Sequence, residues 1–136
     1  MTMTDKLWPG ITRRWGRDVP LTVLLVDDDP LLREVLSESL AERGHRVIAC
    51  GDADECLRAL PPPGERVLLM TDVAMPGRSG RALADEFRRR CPDQPVVFAT
   101  GLPAESVTPL RDGEALLLKP FSMRDMVATV DRMAAA

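Results

Sequence analysis

The 136-residue chain has no tyrosine, three phenylalanines, two tryptophans and a single histidine, His45. One histidine excludes a metal centre or catalytic triad built on histidines, so any histidine chemistry has to come from a partner. The three cysteines, Cys50, Cys56 and Cys91, are an odd number with no C-x-x-C pair. That argues against a disulfide framework or a zinc site and fits reduced thiols in a cytoplasm. No apolar run approaches the length of a membrane span. The N-terminus lacks the apolar core of a signal peptide, so a cytoplasmic protein is expected. The net charge of -3 gives the domain no electrostatic footprint for nucleic acid. With 45% hydrophobic and 29% charged residues, the composition is that of one globular domain with a core of its own.

What is present is a series of short apolar runs, each ending in a polar residue. The central one is Val67-Leu68-Leu69-Met70-Thr71-Asp72, followed by turn chemistry at Met75-Pro76-Gly77. Thr22 to Val26 reads as a first strand and runs into Asp27-Asp28-Asp29-Pro30. Asp29 suits a helix N-cap and Pro30 its first turn. Leu31, Leu32, Val35, Leu36 and Leu40 then recur at helical spacing up to Gly44. Arg46 to Cys50 reads as a second strand, and Asp52 with Glu55 opens a helix ending near Leu60. After Pro61-Pro62-Pro63-Gly64 and the Asp72 strand, a helix is expected from about Ser79 to Arg90, with Leu83 and Phe87 inward. Pro95 to Ala99, closing on Thr100-Gly101, is a fourth strand, and Ala115 to Leu118, ending at Lys119-Pro120, a fifth. Ser122 caps a last helix whose apolar face is Met126, Val127, Val130 and Met133. Between Leu102 and Gly113, Pro103 and Pro109 leave a helix short or poorly formed, and this segment is expected to be the most mobile.

Five strand–helix units with continuous apolar strands predict an α/β fold, a doubly wound parallel sheet. All strand ends of such a sheet lie on one side, where ligands bind. Asp27, Asp28, Asp72, Thr100 and Lys119 therefore converge. Three crowded carboxylates need a cation. With oxygen donors alone that cation is a hard one, Mg²⁺, with Mn²⁺ as the alternative. Lys119 and the Thr100 hydroxyl add a charge and a hydrogen bond for phosphoryl oxygens. This is equipment for phosphoryl transfer to a carboxylate nucleophile.

With Leu25-Val26-Asp27-Asp28-Asp29-Pro30, Thr71-Asp72-Val73-Ala74-Met75-Pro76-Gly77, Gly80, Thr100 and Leu118-Lys119-Pro120-Phe121 in that order, the chain resembles the receiver domain of bacterial two-component response regulators over roughly residues 21–136. The resemblance implies a flavodoxin-like (βα)5 fold with strand order 2-1-3-4-5. It implies that Asp72 takes a phosphoryl group from a phosphohistidine of a sensor kinase or phosphotransfer protein. Asp28, Asp72 and the Ala74 carbonyl would hold Mg²⁺, with Asp27 helping through water. Thr100, Lys119 and the backbone N–H groups of Ala74 and Gly101 would hold the phosphoryl. Such a domain is not an enzyme in the ordinary sense: it catalyses only its own phosphorylation and dephosphorylation.

Two departures stand out. Leu116 occupies the position, three residues before the lysine, where many receivers carry an aromatic switch. Phe98-Ala99-Thr100-Gly101 resembles receivers with an altered fourth helix, found as single-domain regulators and in hybrid kinases. Ordering of the 102–113 segment on phosphorylation is the expected substitute for the switch. The chain stops one helix after Lys119, so signalling through protein contacts is expected rather than direct DNA binding. Residues 1–20, with Trp8, Trp15 and four cationic side chains, read as a flexible arm, the alternative being a docking or homodimerisation segment. Two other functions compete. In a haloacid-dehalogenase-like phosphatase, Asp27 would be the nucleophile and Asp29 the acid. In a pseudo-receiver, the same fold binds partners without ever being phosphorylated.

Overall fold

A computed structural model describes residues 21–135; the arm expected over residues 1–20 lies outside them. Five strands, β1 (Thr22–Val26), β2 (Arg46–Cys50), β3 (Val67–Thr71), β4 (Val96–Thr100) and β5 (Glu114–Leu118), pair in parallel in the order 2-1-3-4-5. The helices are α1 (Pro30–Glu42), α2 (Ala53–Arg58), α3 (Gly80–Arg90) and α4 (Met123–Ala135). The link between β4 and β5 holds only a 3-10 turn, Ala104–Ser106. No helix among the described residues is long and apolar enough to cross a membrane.

Alternate residues of the strands feed two cores. On one face Val23, Leu25, Leu68 and Met70 pack with Leu36 and Leu40 of α1 and Met126 and Val130 of α4. On the other, Leu24, Leu69 and Phe98 pack with Cys56 of α2 and Leu83 and Phe87 of α3. Every residue of β1, β3 and β4 is buried, and each fully buried Leu or Phe contributes about 1.5–3 kcal/mol. Helix starts follow their caps: Asp29 accepts from the Leu31 and Leu32 N–H groups, Asp52 from Glu55, Ser79 from Ala82 and Ser122 from Asp125.

Two features go beyond what the spacing showed. Leu31 and Val35 are not core residues; they are 68% and 41% exposed. They lie one turn apart on the side of α1 turned away from Leu36 and Leu40. Elsewhere, the 102–113 segment is anchored rather than free-standing. Val107 is buried, the Arg81 and Arg88 side chains donate to the Val107 and Asp112 carbonyls, and Arg111 pairs with Asp85 at 2.7 Å.

Candidate functional site

The sheet's register brings the strand ends together. Val26 of β1 pairs with Thr71 of β3, and Thr100 of β4 pairs with Leu118 of β5, so the residues following Val26 and Leu118 emerge at one edge with Thr100 and Asp72. The Lys119 amine donates to Asp27 Oδ2 at 2.8 Å and to Asp72 Oδ2 at 2.9 Å. Oxygen atoms of Asp27, Asp28 and Asp72 all lie within 4.8 Å of one another. Asp27 and Asp72 are buried and Asp28 is exposed, so the cluster opens to solvent on the Asp28 side.

The backbone around these carboxylates is held from every side. The Asp72 N–H donates to the Val26 carbonyl at 3.0 Å, and the Thr71 hydroxyl donates to the Asp72 carbonyl at 2.9 Å. Asp72 Oδ1 accepts the Ala74 N–H at 3.3 Å, and Asp27 Oδ1 accepts the Asp29 N–H at 2.8 Å. Thr100 is fully buried, and its hydroxyl accepts the Leu102 N–H at 3.1 Å. The Lys119 N–H donates to the Thr100 carbonyl at 2.8 Å, tying these two residues together through the backbone. Gly101 is exposed beside them.

The sequence profile of the response regulator receiver domain matches residues 23–131. The chain belongs to that family. It is 39% identical over 115 residues to the response regulator protein FleR of Pseudomonas aeruginosa, covering 82% of this chain and 24% of FleR. It is 31% identical over 114 residues to the response regulator receiver protein CpdR of Brucella abortus, covering 82% of this chain and 94% of CpdR. The chain spans less than half the length of several other curated relatives. Among solved structures, the receiver domain of the hybrid histidine kinase CckA superposes with a TM-score of 0.72 at 28% identity, over 83% of this chain and 98% of that one.

Within the receiver, burial works against the charge on Lys119, but its hydrogen bonds and proximity to Asp27 and Asp72 outweigh that, so its ammonium is held above the ordinary lysine value of 10.5. It stays cationic throughout the neutral range. One ammonium does not balance three carboxylates. The set holds only hard oxygen donors and no histidine or cysteine, so its chemistry fits a divalent hard cation. Asp29 stands apart, its carboxylate committed to capping α1. The phosphatase alternative, with Asp27 as nucleophile and Asp29 as acid, therefore lacks its acid, and the family match decides against it.

Sequence reasoning missed two contributors. The Thr71 hydroxyl fixes the peptide carrying Asp72. The Arg33 guanidinium donates to the Asp27 carbonyl at 2.6 Å and lies against Gly51, joining the β1–α1 loop to the turn after β2. The signal for Arg33 was available: it falls on the first turn of a helix that begins at the acidic strand end.

Proposed function

We propose that this receiver accepts a phosphoryl group on Asp72 from a phosphohistidine of a sensor kinase or phosphotransfer protein, and passes the signal on through protein contacts. The observation that carries this reading is the Lys119 amine bridging Asp72 and Asp27 at the mouth of a three-carboxylate cluster. An Asp72 oxygen forms the bond to phosphorus as the phosphorus–nitrogen bond of the donor imidazole breaks. The bonding pair stays on the imidazole nitrogen; the donor ring, protonated on its other nitrogen while it carries the phosphoryl, leaves as neutral imidazole. Lys119 stands ready to pair with a phosphoryl oxygen. The Thr100 hydroxyl, which accepts the Leu102 N–H and keeps its own hydrogen to donate, and the Ala74 and Gly101 N–H groups supply the remaining donors. Asp27, Asp28, Asp72 and the Ala74 carbonyl would hold Mg²⁺, or Mn²⁺ in its place. Held there, such an ion would supply charge neutralisation for the transferring group.

The test uses a small acyl phosphate donor with Mg²⁺ and mass spectrometry of the intact chain. A single phosphoryl adduct is expected, lost in Asp72→Asn and retained in Asp27→Asn at a lower rate. No adduct on the wild type would favour the pseudo-receiver. Independently, Mg²⁺ should raise the melting temperature, because binding to the folded state alone stabilises it by roughly 2.7 kcal/mol at a hundredfold excess over Kd. Asp28→Asn should shrink that shift, and a wild-type melt indifferent to Mg²⁺ would contradict the site.

The exposed Leu31 and Val35 form an i, i+4 pair on a helix that starts at the acidic cluster. An apolar ridge beside the phosphoacceptor suits docking of a helical donor carrying the phosphohistidine. Leu31→Asp with Val35→Asp should slow transfer from a cognate kinase by about tenfold or more, 1.4 kcal/mol of lost docking. Labelling by the small donor should be unchanged. Equal losses with both donors would place the damage in the site and not in docking.

A further inference from the structure

Helix α3 begins directly behind Asp72. The Gly80 N–H donates to the Val73 carbonyl at 2.8 Å, and a Cβ at Gly80 would stand 1.9 Å from the Asp72 carbonyl oxygen. With no space between them, a shift in the peptide after Asp72 is felt by the first turn of α3. The next residue, Arg81, spans from that turn to β4, β5 and the segment joining them. Its guanidinium donates to Glu114 Oε2 at 2.7 Å and to the Val107 carbonyl at 3.3 Å, and lies 4.5 Å from the centroid of the Phe98 ring.

Each of these partners bears on the site or on the segment. Phe98 is two residues before Thr100 on the same face of β4 and pairs with Leu116, where the aromatic switch is missing. Glu114 opens β5, and its side chain is fully buried. Its other carboxylate oxygen accepts the Arg111 N–H at 2.8 Å. A buried carboxylate does not tolerate loss of its cation, so Glu114 has to follow Arg81 or be paired anew by Arg88, now 3.5 Å away. A planar fork stacked on a ring and paired with a carboxylate shifts between discrete arrangements and does not deform gradually.

We propose that Arg81 is a positioning residue that carries the state of Asp72 to the β4–β5 connection, residues 102–113, in place of an aromatic switch. The proposal rests on phosphorylation of Asp72 as set out above. In this scheme Arg81 moves with the first turn of α3 when Asp72 is modified, and Phe98, Val107 and Glu114 move with it.

The experiment is hydrogen exchange on the whole chain, with and without loading by a small acyl phosphate donor and Mg²⁺. In the wild type, loading should change exchange across residues 103–112 by about tenfold, within the range of coupling between two sites. Arg81→Lys keeps a charge opposite Glu114 but loses the fork and the stacked plane, and Arg81→Gln loses the charge. Both variants should load at Asp72 as the wild type does. Their load-dependent change at 103–112 should fall below about threefold. A purely structural Arg81 would raise exchange equally in loaded and unloaded protein and leave the difference intact, which overturns the proposal. Loading of the wild type with no change at 103–112 also overturns it. Failure of the wild type to load removes the phosphorylation reading and this proposal together, a result told apart by the absent adduct. If Arg81→Gln does not fold, Arg81→Lys decides.

Discussion

Gly80→Ala should be among the most damaging single substitutions in the domain, lowering stability by on the order of 4 kcal/mol, in the upper tail for point changes. A methyl group at this position meets only backbone: the Asp72 carbonyl oxygen at 1.9 Å, the Asp72 carbonyl carbon at 2.8 Å and the Val73 Cα at 2.9 Å. None of these can rotate away as a side chain would, so α3 has to lift from β3 or the Asp72 peptide has to turn. Either movement disturbs Leu83 and Phe87, both fully buried against the sheet. For a domain of this size the melting temperature should fall by roughly 10–20 °C. Where the Asp72 peptide turns to make room, the surviving folded protein should also load more slowly with phosphoryl. Gly77→Ala is the control. Gly77 has φ of 80° but nothing within 4 Å of a Cβ, so its cost is backbone strain alone, about 1–2 kcal/mol. Equal losses in the two variants would show that close approach at Gly80 is not what requires a glycine there.

Gly80 also shows what the sequence could and could not disclose. It stood out by its place in a familiar run, but its physical reason is a contact with a residue eight positions earlier. The strands and the polar residues at their ends were legible because short apolar runs bounded by proline and glycine leave few alternatives. Thr22 to Val26 and Arg46 to Cys50 form as expected, while β4 is shifted by one residue at both ends and β5 begins one residue earlier. The exposed ridge of α1 was not legible because periodicity finds apolar positions on a helix but not how many of them the sheet covers. Leu31 and Val35 stay exposed while Leu36 and Leu40 are buried. The anchoring of the 102–113 segment was hidden for another reason. No local pattern marks Arg81, Arg88 or Glu114 in the sequence, and only the fold brings α3 against the start of β5 and buries the carboxylate between two guanidinium groups. Prolines pointed to a weak helix there and said nothing about arginines from another element holding the loop down.

The acyl phosphate, once formed, should decay slowly. Hydrolysis requires water to attack phosphorus in line, opposite the bond to the Asp72 oxygen. Two backbone contacts put Ala74 and Leu102 beside this site, the Ala74 N–H on Asp72 Oδ1 at 3.3 Å and the Leu102 N–H on the Thr100 hydroxyl at 3.1 Å, so we take their side chains as the candidates for orienting or excluding that water. Ala74 is exposed and its methyl group offers no hydrogen bond. Leu102 is half-buried, with its N–H held by the Thr100 hydroxyl at 3.1 Å, and its side chain is apolar. Positioning of a nucleophile by a side chain is worth ~10²–10⁴-fold where it operates, and neither residue supplies it. Ala74→Glu or Ala74→Asn should therefore quicken decay by about ten- to a hundredfold, a part of that range because the introduced group is not held in place by neighbours. The measurement follows loss of the phosphoryl adduct by intact mass after removal of the donor, with Mg²⁺ retained. Decay of the wild type within seconds, or a rate unmoved by either replacement, would show that the backbone donors and Lys119 govern access of water. A faster rate in Ala74→Glu with unchanged loading would locate control of the signal's lifetime at this one exposed methyl group.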